Sequence, residues 1–185
     1  MPWLIGKRVM LRDYRKEDLP YMRSWVNDAE ITKYLSNVFL YPHTLTQTES
    51  FLQSNLEGRG DYKGFVIAHK DTEEYIGQLD LVKIDWVNRK ALIGIVIGNK
   101  EYQNNGYGTE AIGLLQDFAF NKLNLHKLEL EVRAFNERAI KCYKKCGFVE
   151  EGRIRENFYA DGKYTDTLYM GVLKDEYLNI IKQRG

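Results

Sequence analysis

Apolar positions along this chain switch repeatedly between a period of two and a period near three and a half, which predicts alternating strands and helices. Residues 6–13 read as a first strand. Leu19, Met22 and Trp25 share helical spacing within 16–25, and a short second helix is expected over 28–35. Residues 46–56 place Phe51, Leu52 and Leu56 on one side of a third helix. The middle turns to strands: 64–69 is short and apolar, 75–85 alternates, and 91–97 is almost wholly apolar, as in a strand buried on both faces. Ala111, Ile112, Leu115, Phe118 and Ala119 share one face of a core helix over 108–120. Leu128, Leu130 and Val132 alternate in a strand over 127–133. Asn136 is a favoured N-cap and Gly147 a C-cap glycine, bracketing another helix. Strands at 149–159 and 164–172 flank Asp161-Gly162, a hairpin signal, and the tail from Lys174 is helical in pattern. The sum is an α/β chain of the α+β type, with a mixed, mostly antiparallel sheet and helices on both faces. No linker or repeat divides it, so 1–185 is expected to be one domain.

Between the strand at 91–97 and the helix at 108–120 stands Glu101-Tyr-Gln-Asn-Asn-Gly-Tyr-Gly-Thr-Glu110. Glycines there let the backbone turn its N–H groups outward, and the helix start adds unpaired N–H groups and the positive end of its dipole. That combination favours a phosphate-bearing ligand. The spacing is neither G-x-x-x-x-G-K-[ST] nor G-x-G-x-x-G, so neither a Walker loop nor a dinucleotide fingerprint is present. A plain strand-to-helix turn is the alternative.

Further along runs Asn136-Glu-Arg-Ala-Ile-Lys-Cys-Tyr-Lys-Lys-Cys-Gly-Phe148. The pair of motifs, Q-x-x-G-x-G and then N-x-x-A-x-x-x-Y-x-x-x-G-F, resembles the GNAT superfamily of acetyl-CoA-dependent N-acetyltransferases. Leu11-Arg12 with Asp18-Leu19, and the Asp161-Gly162-Lys163-Tyr164 hairpin, look like its RimJ/RimL-like branch, which acetylates ribosomal-protein N-termini. The resemblance covers residues 5 to 175. It implies a single N-acetyltransferase domain with acetyl-CoA as co-substrate. Gln103, Asn104, Asn105, Gly106, Tyr107, Gly108 and Thr109 would then form the pyrophosphate loop. The strand before it, 93–97, would pair with the pantetheine amides, with Val96 or Ile97 offering a backbone N–H to the thioester oxygen. Asn136 would bond the cofactor arm besides capping its helix. Tyr143 would be the general acid for the departing thiolate, since a positioned phenol can supply or share that proton.

The base departs from the family pattern. Where RimJ/RimL-like relatives often have a Glu after the first Ala of the central strand, this chain has Leu92. Asp80 is the first substitute, with Asp85, Glu30 or a water relay as alternatives. The same branch implies a protein or peptide N-terminal α-amine as acceptor, attacking directly. The resemblance over the whole chain also touches the spermidine acetyltransferase branch, but 36–41 and Lys83 lack the acidic groups a polycation wants, so a polyamine is second and another small amine third. A non-catalytic acyl-CoA-binding module and a purely structural module are the rivals from other classes.

Bulk properties narrow the rest. Aromatic residues make up 13% of 185 residues, enough to fill a core, and the net charge of +1 gives no electrostatic case for nucleic acid or membrane as main partner. No apolar run approaches the ~20 residues of a membrane span, and the first residues, Met1-Pro-Trp-Leu-Ile-Gly, do not read as a signal peptide. Cys142 and Cys146 stand one helical turn apart and form no metal spacing with the three scattered histidines, so no metal is expected. Reduced thiols and a cytoplasmic location are expected, and analogy with such folds allows a homodimer.

Overall fold

The computed structural model describes residues 3–59 and 62–184, the Arg184 side chain excepted; Met1 and Pro2 of the N-terminal reading lie outside them. In chain order the elements are β1 (Leu4–Ile5), β2 (Val9–Arg12), α1 (Leu19–Trp25), α2 (Ala29–Thr32), α3 (Leu45–Leu56), β3 (Lys63–His69), β4 (Tyr75–Asp85) and β5 (Lys90–Ile97). Then come α4 (Tyr107–Asp117), β6 (Lys127–Arg133), α5 (Glu137–Lys145), β7 (Val149–Ala160), β8 (Lys163–Leu173) and α6 (Lys174–Arg184). The expected α/β class holds. Boundaries move where local chemistry outweighs periodicity: the helix expected over 16–25 begins as a 3-10 turn, Lys16–Asp18, and the one expected over 28–35 shrinks to Ala29–Thr32.

The eight strands form one sheet in the order β1-β2-β3-β4-β5-β6-β8-β7, and among the described residues only β5 and β6 run parallel. That parallel contact is short. It joins Lys90, Ala91 and Leu92 to Lys127, Leu128 and Glu129 and then stops. Beyond it β5 follows β4 as far as Ile97, whereas β6 follows β8 as far as Arg133. The sheet is therefore two ribbons joined at one end and parted at the other. At the joined end Lys90 Nζ and Lys127 Nζ reach Glu129 at 3.1 and 3.2 Å, and Lys127 Nζ reaches Glu151 at 2.7 Å.

Apolar side chains bury on both faces. One cluster joins Ile76, Leu79 and Leu81 of β4 to Ile112 and Leu115 of α4 and to Phe148, Met170 and Val172. The other joins Met10, Val66 and Tyr75 to Trp25, Ile31 and Leu52 of α1, α2 and α3. Each fully buried side chain of this kind contributes about 1.5–3 kcal/mol. Arg12 forms a buried two-pronged pair with Asp18, at 2.7 and 2.9 Å, and Asp18 also accepts the Arg15 N–H at 2.8 Å. The pair thereby fixes the turn that launches α1.

The alternation of β4 sends Leu79 and Leu81 into the α4 cluster and Gln78 and Asp80 to the opposite face. Gly77 sits where β4 meets Ile97 of β5, and a Cβ there would overlap the Val96 carbonyl oxygen. Gly77→Ala is expected to force the strands apart and destabilise the fold by about 1–3 kcal/mol. Thermal unfolding checks this, and an unchanged midpoint would remove the steric argument.

Candidate active site

The parted end of the sheet opens into a cleft of about 670 Å³. One wall is the end of β5, Ile95 to Ile97, which is half-buried and not enclosed on both faces as its apolar run suggested; the opening beside it is the reason. The floor is the turn into α4. Asn104 and Gly106 there have φ of +62° and +81°, and Gly106 is the N-cap of α4. The Gly106 carbonyl receives the Glu110 N–H at 3.1 Å, so the N–H groups of the first turn have no intrahelical acceptor. A Cβ on Gly108 would meet nothing nearer than Ile95 Cδ1 at 3.8 Å and Cys142 Sγ and Ile97 Cδ1 at 3.9 Å. The glycine keeps a side chain off the helix start, and the unpaired N–H groups there fit a pyrophosphate.

The loop is braced from both sides. Gln103 Nε2 donates to the Ile97 carbonyl at 2.9 Å, and Arg138 donates to Gln103 Oε1 at 2.8 Å. Arg8 donates to the Asn105 carbonyl at 2.9 Å, meets Glu110 at 3.0 Å and lies 4.5 Å over the Tyr107 ring. These bonds span up to 102 residues of chain, and neither composition nor spacing announces them.

Of the residues expected at the site, Val96, Ile97, Gln103, Asn104, Gly106, Tyr107, Gly108, Thr109, Asn136 and Tyr143 all border this cleft. Asn105 does not: its side chain turns back to the Glu101 carbonyl at 3.1 Å, and its own carbonyl is held by Arg8. Asn136 Oδ1 accepts the Ala139 N–H at 3.2 Å, which establishes its capping role. Tyr143 packs edge-on against Phe148, with ring centroids 6.1 Å apart, and burial raises its phenol well above the ordinary value. A phenol so placed stays protonated. Cys142, Tyr34 and Phe135 also line the cleft, and no spacing in the sequence marked the last two.

Asp80 stands apart from the cleft lining, on the α1–α3 face of β4. It accepts from the Tyr14 hydroxyl at 3.2 Å, and Tyr62, Gln78 and the Phe65 N–H also bond it. Burial outweighs these bonds and raises its carboxyl to about 7. Its cross-strand neighbour is Gly94, so no β5 side chain stands beside the carboxyl; a Cβ there would touch Val82 Cγ2 at 3.4 Å. The other acids considered are engaged elsewhere. Asp85 holds the turn to Asn88 at 2.8 and 2.9 Å, and Glu30 pairs with Lys100 at 2.7 Å.

A parted sheet with an anion cradle at its mouth defines a transferase that takes its group from an extended, phosphate-bearing carrier. Residues 8–149 match the acetyltransferase (GNAT) domain model, and the chain belongs to that family of acetyl-CoA-using enzymes that acylate amines. It is 30% identical over 95% of its length to spermidine N(1)-acetyltransferase of Vibrio cholerae, covering 98% of that protein. It is 33% identical over 96% of its length to the Escherichia coli K12 enzyme of the same name, covering 92% of it. The crystal structure of the V. cholerae spermidine N-acetyltransferase with CoA and spermine superimposes with a TM-score of 0.81 at 30% identity, covering 94% of this chain and all of the other. The expected GNAT membership is thus shown; these near-full-length relatives are spermidine acetyltransferases, the second branch that the sequence touched, and they do not specifically support the RimJ/RimL-like one.

The Asp80 carboxyl also makes a stability prediction. Its folded pKa lies above the ordinary ~3.9, so between the two values the native state holds a proton that the unfolded chain lacks. Stability from this group is complete below about pH 4 and is lost as pH rises through about 7. Asp80→Asn is expected to flatten that slope and to gain stability relative to the parent at pH 8. Denaturant melts at pH 5 and pH 8 measure it; identical slopes in the two proteins would show that Asp80 is ionised throughout.

Proposed function

We propose that this chain transfers acetyl from acetyl-CoA to a primary amine of the polyamine class. The similarity over nearly the whole chain to two spermidine acetyltransferases carries the acceptor class. The N–H groups of Gly106 to Thr109 would hold the carrier's pyrophosphate, and the free edge of β5 would pair with its two amides. N–H and C=O of one residue in an extended strand point to the same side. The Ile97 carbonyl accepts from Gln103 while that of Val96 lies against Gly77, which supports the Ile97 N–H over that of Val96 as the donor to the thioester oxygen. A fixed donor facing the developing oxyanion is worth about 3 kcal/mol.

A polyamine nitrogen is protonated at neutral pH and needs a base. Asp80, raised to about 7, is matched to that task, and Gly94 puts no side chain beside it on the neighbouring strand. The amine nitrogen bonds the thioester carbonyl carbon, its proton passes to Asp80, the C–S bond breaks, and Tyr143 protonates the departing sulfur. No cysteine nucleophile is required.

A second reading, an N-terminal α-amine, is favoured by one observation. Ile31, Tyr34, Leu35 and Phe135, which border the cleft on its α2 side, include no carboxylate, and 36–41 adds none. An α-amine, with a pKa of about 8, also asks less of a base.

Release of CoA against spermidine, spermine and open and N-blocked peptides separates the readings. Turnover on polyamines supports the first; turnover only on open peptides replaces it with the second. Tyr143→Phe is expected to lower kcat about 100-fold or more, with acetyl-CoA affinity nearly unchanged. Unaltered kcat across pH would remove Tyr143 from the acid role, and cofactor binding without turnover on any amine would favour a non-catalytic binder.

A further inference from the structure

Glu110 is a carboxylate in the first turn of α4, the helix whose start borders the cleft. An acid there suits the positive end of a bare helix, but it competes with a bound phosphate for the same field. Its side chain is matched by the turn between β1 and β2. Oε2 meets Arg8 Nε at 3.0 Å, and Oε1 accepts the Arg8 N–H at 2.7 Å and the Val9 N–H at 3.3 Å. This approach needs Gly6, where a Cβ would stand 2.7 Å from Glu110 Oε1. Burial would raise the Glu110 carboxyl, yet the bonds from the Arg8 N–H and guanidinium outweigh it and hold the group below its ordinary value. The same guanidinium has a second task. Nη1 donates to the Asn105 carbonyl at 2.9 Å, between Asn104 and Gly106, both left-handed at φ of +62° and +81°. A Cβ on Gly106 would meet Arg8 Nη2 at 3.3 Å, and the Tyr107 ring lies 4.5 Å from the guanidinium. A left-handed residue that is not glycine persists where its surroundings hold it. As a source of stability the ion pair is worth little, since the arginine side chain is 46% exposed. Its placement beside the anion site matters more than its strength.

We propose that Arg8 is a positioning residue for the cofactor's pyrophosphate, acting through Glu110, whose charge it neutralises, and through Asn105, whose carbonyl it holds in the turn. The inference rests on the proposed reading of that turn as the cofactor site. Without Arg8, the Glu110 carboxylate faces the incoming phosphates uncompensated, and the turn loses the bond that fixes the peptide between its two left-handed residues. The first effect is separable from the second, because removing the Glu110 charge as well abolishes the repulsion and leaves the turn unbraced. Both effects concern the phosphates. A thioester donor without phosphates is therefore indifferent to Arg8.

The test titrates CoA calorimetrically into the full chain, Arg8→Gln, Arg8→Lys, Glu110→Gln and the double variant Arg8→Gln with Glu110→Gln. Initial rates on the preferred amine are measured beside it, with acetyl-CoA and with S-acetylpantetheine, which lacks the pyrophosphate. Arg8→Gln is expected to weaken CoA about fivefold or more and to raise KM for acetyl-CoA in step, with kcat and the S-acetylpantetheine rate little changed. The double variant should recover part of that loss, a coupling that two independent structural defects would not show. Arg8→Lys, which keeps the charge, should lose less than Arg8→Gln. Equal CoA affinity in the parent and Arg8→Gln overturns the proposal, as does a loss that Glu110→Gln does not relieve. A general loss of fold would depress the S-acetylpantetheine rate equally, and that result also overturns it. Failure of CoA to bind the parent at all is a different outcome: it removes the cofactor reading of the turn, and the positioning role falls with it.

Discussion

The short parallel contact between β5 and β6 is the constraint on which the rest of the molecule depends. Three residues on each strand are joined, and then each strand leaves with a different antiparallel partner. An isolated strand edge of this kind would be a liability in a closed sheet, because its N–H and C=O groups seek partners. Here the edge faces a cleft, where an extended amide chain can satisfy it as another strand would. The Lys90–Glu129–Lys127–Glu151 ion pairs brace the joined end; each is partly exposed and weak alone, so the hydrogen-bonded register and the buried Ala91 and Leu128 hold the hinge.

The two faces of β4 and β5 divide the labour. On the α4 side, apolar packing of Leu79, Leu81 and Ile93 against Ile112 and Leu115 sets the position of the helix whose first turn makes the anion cradle. On the α1–α3 side, Trp25 donates to Tyr75, Tyr75 to Gln78, and Tyr14 to Asp80. A buried polar network of this sort is tolerated only because its members satisfy one another, and the same burial that would penalise an isolated carboxylate raises Asp80 toward neutrality. The burial that packs this face thus also raises the Asp80 carboxyl, on the opposite face from the turn into α4.

Much of this was readable from residue order. Both Tyr75–Asp85 and Lys127–Arg133 appear with the expected bounds; the second alternates in burial as its period predicts, whereas the first is buried on both faces from Tyr75 to Leu81. Gly106 and Gly108 announced the turn, because glycine suits the left-handed N-cap at Gly106 and keeps a side chain off the helix start at Gly108. What sequence could not show is long-range pairing. Arg8 reaches Asn105 and Glu110 across about a hundred residues, Asn105 is drawn off the cleft by that clamp, and Asp80 owes its environment to tyrosines on two other segments. The apolar run of β5 misled in one respect: it signalled burial on both faces, whereas its last residues are apolar because they line a cleft. The order of the two branches was not legible for a different reason, since short end motifs carry less information than similarity along the full chain.

Hydrogen–deuterium exchange with and without saturating CoA tests the parted-sheet account most directly. Residues 93–97 should slow sharply on CoA addition, Ile97 included, while residues 90–92, already bonded to β6, should change little. Unchanged exchange across 93–97, in a protein whose melting temperature CoA raises, would contradict the claim that the free edge of β5 holds the carrier.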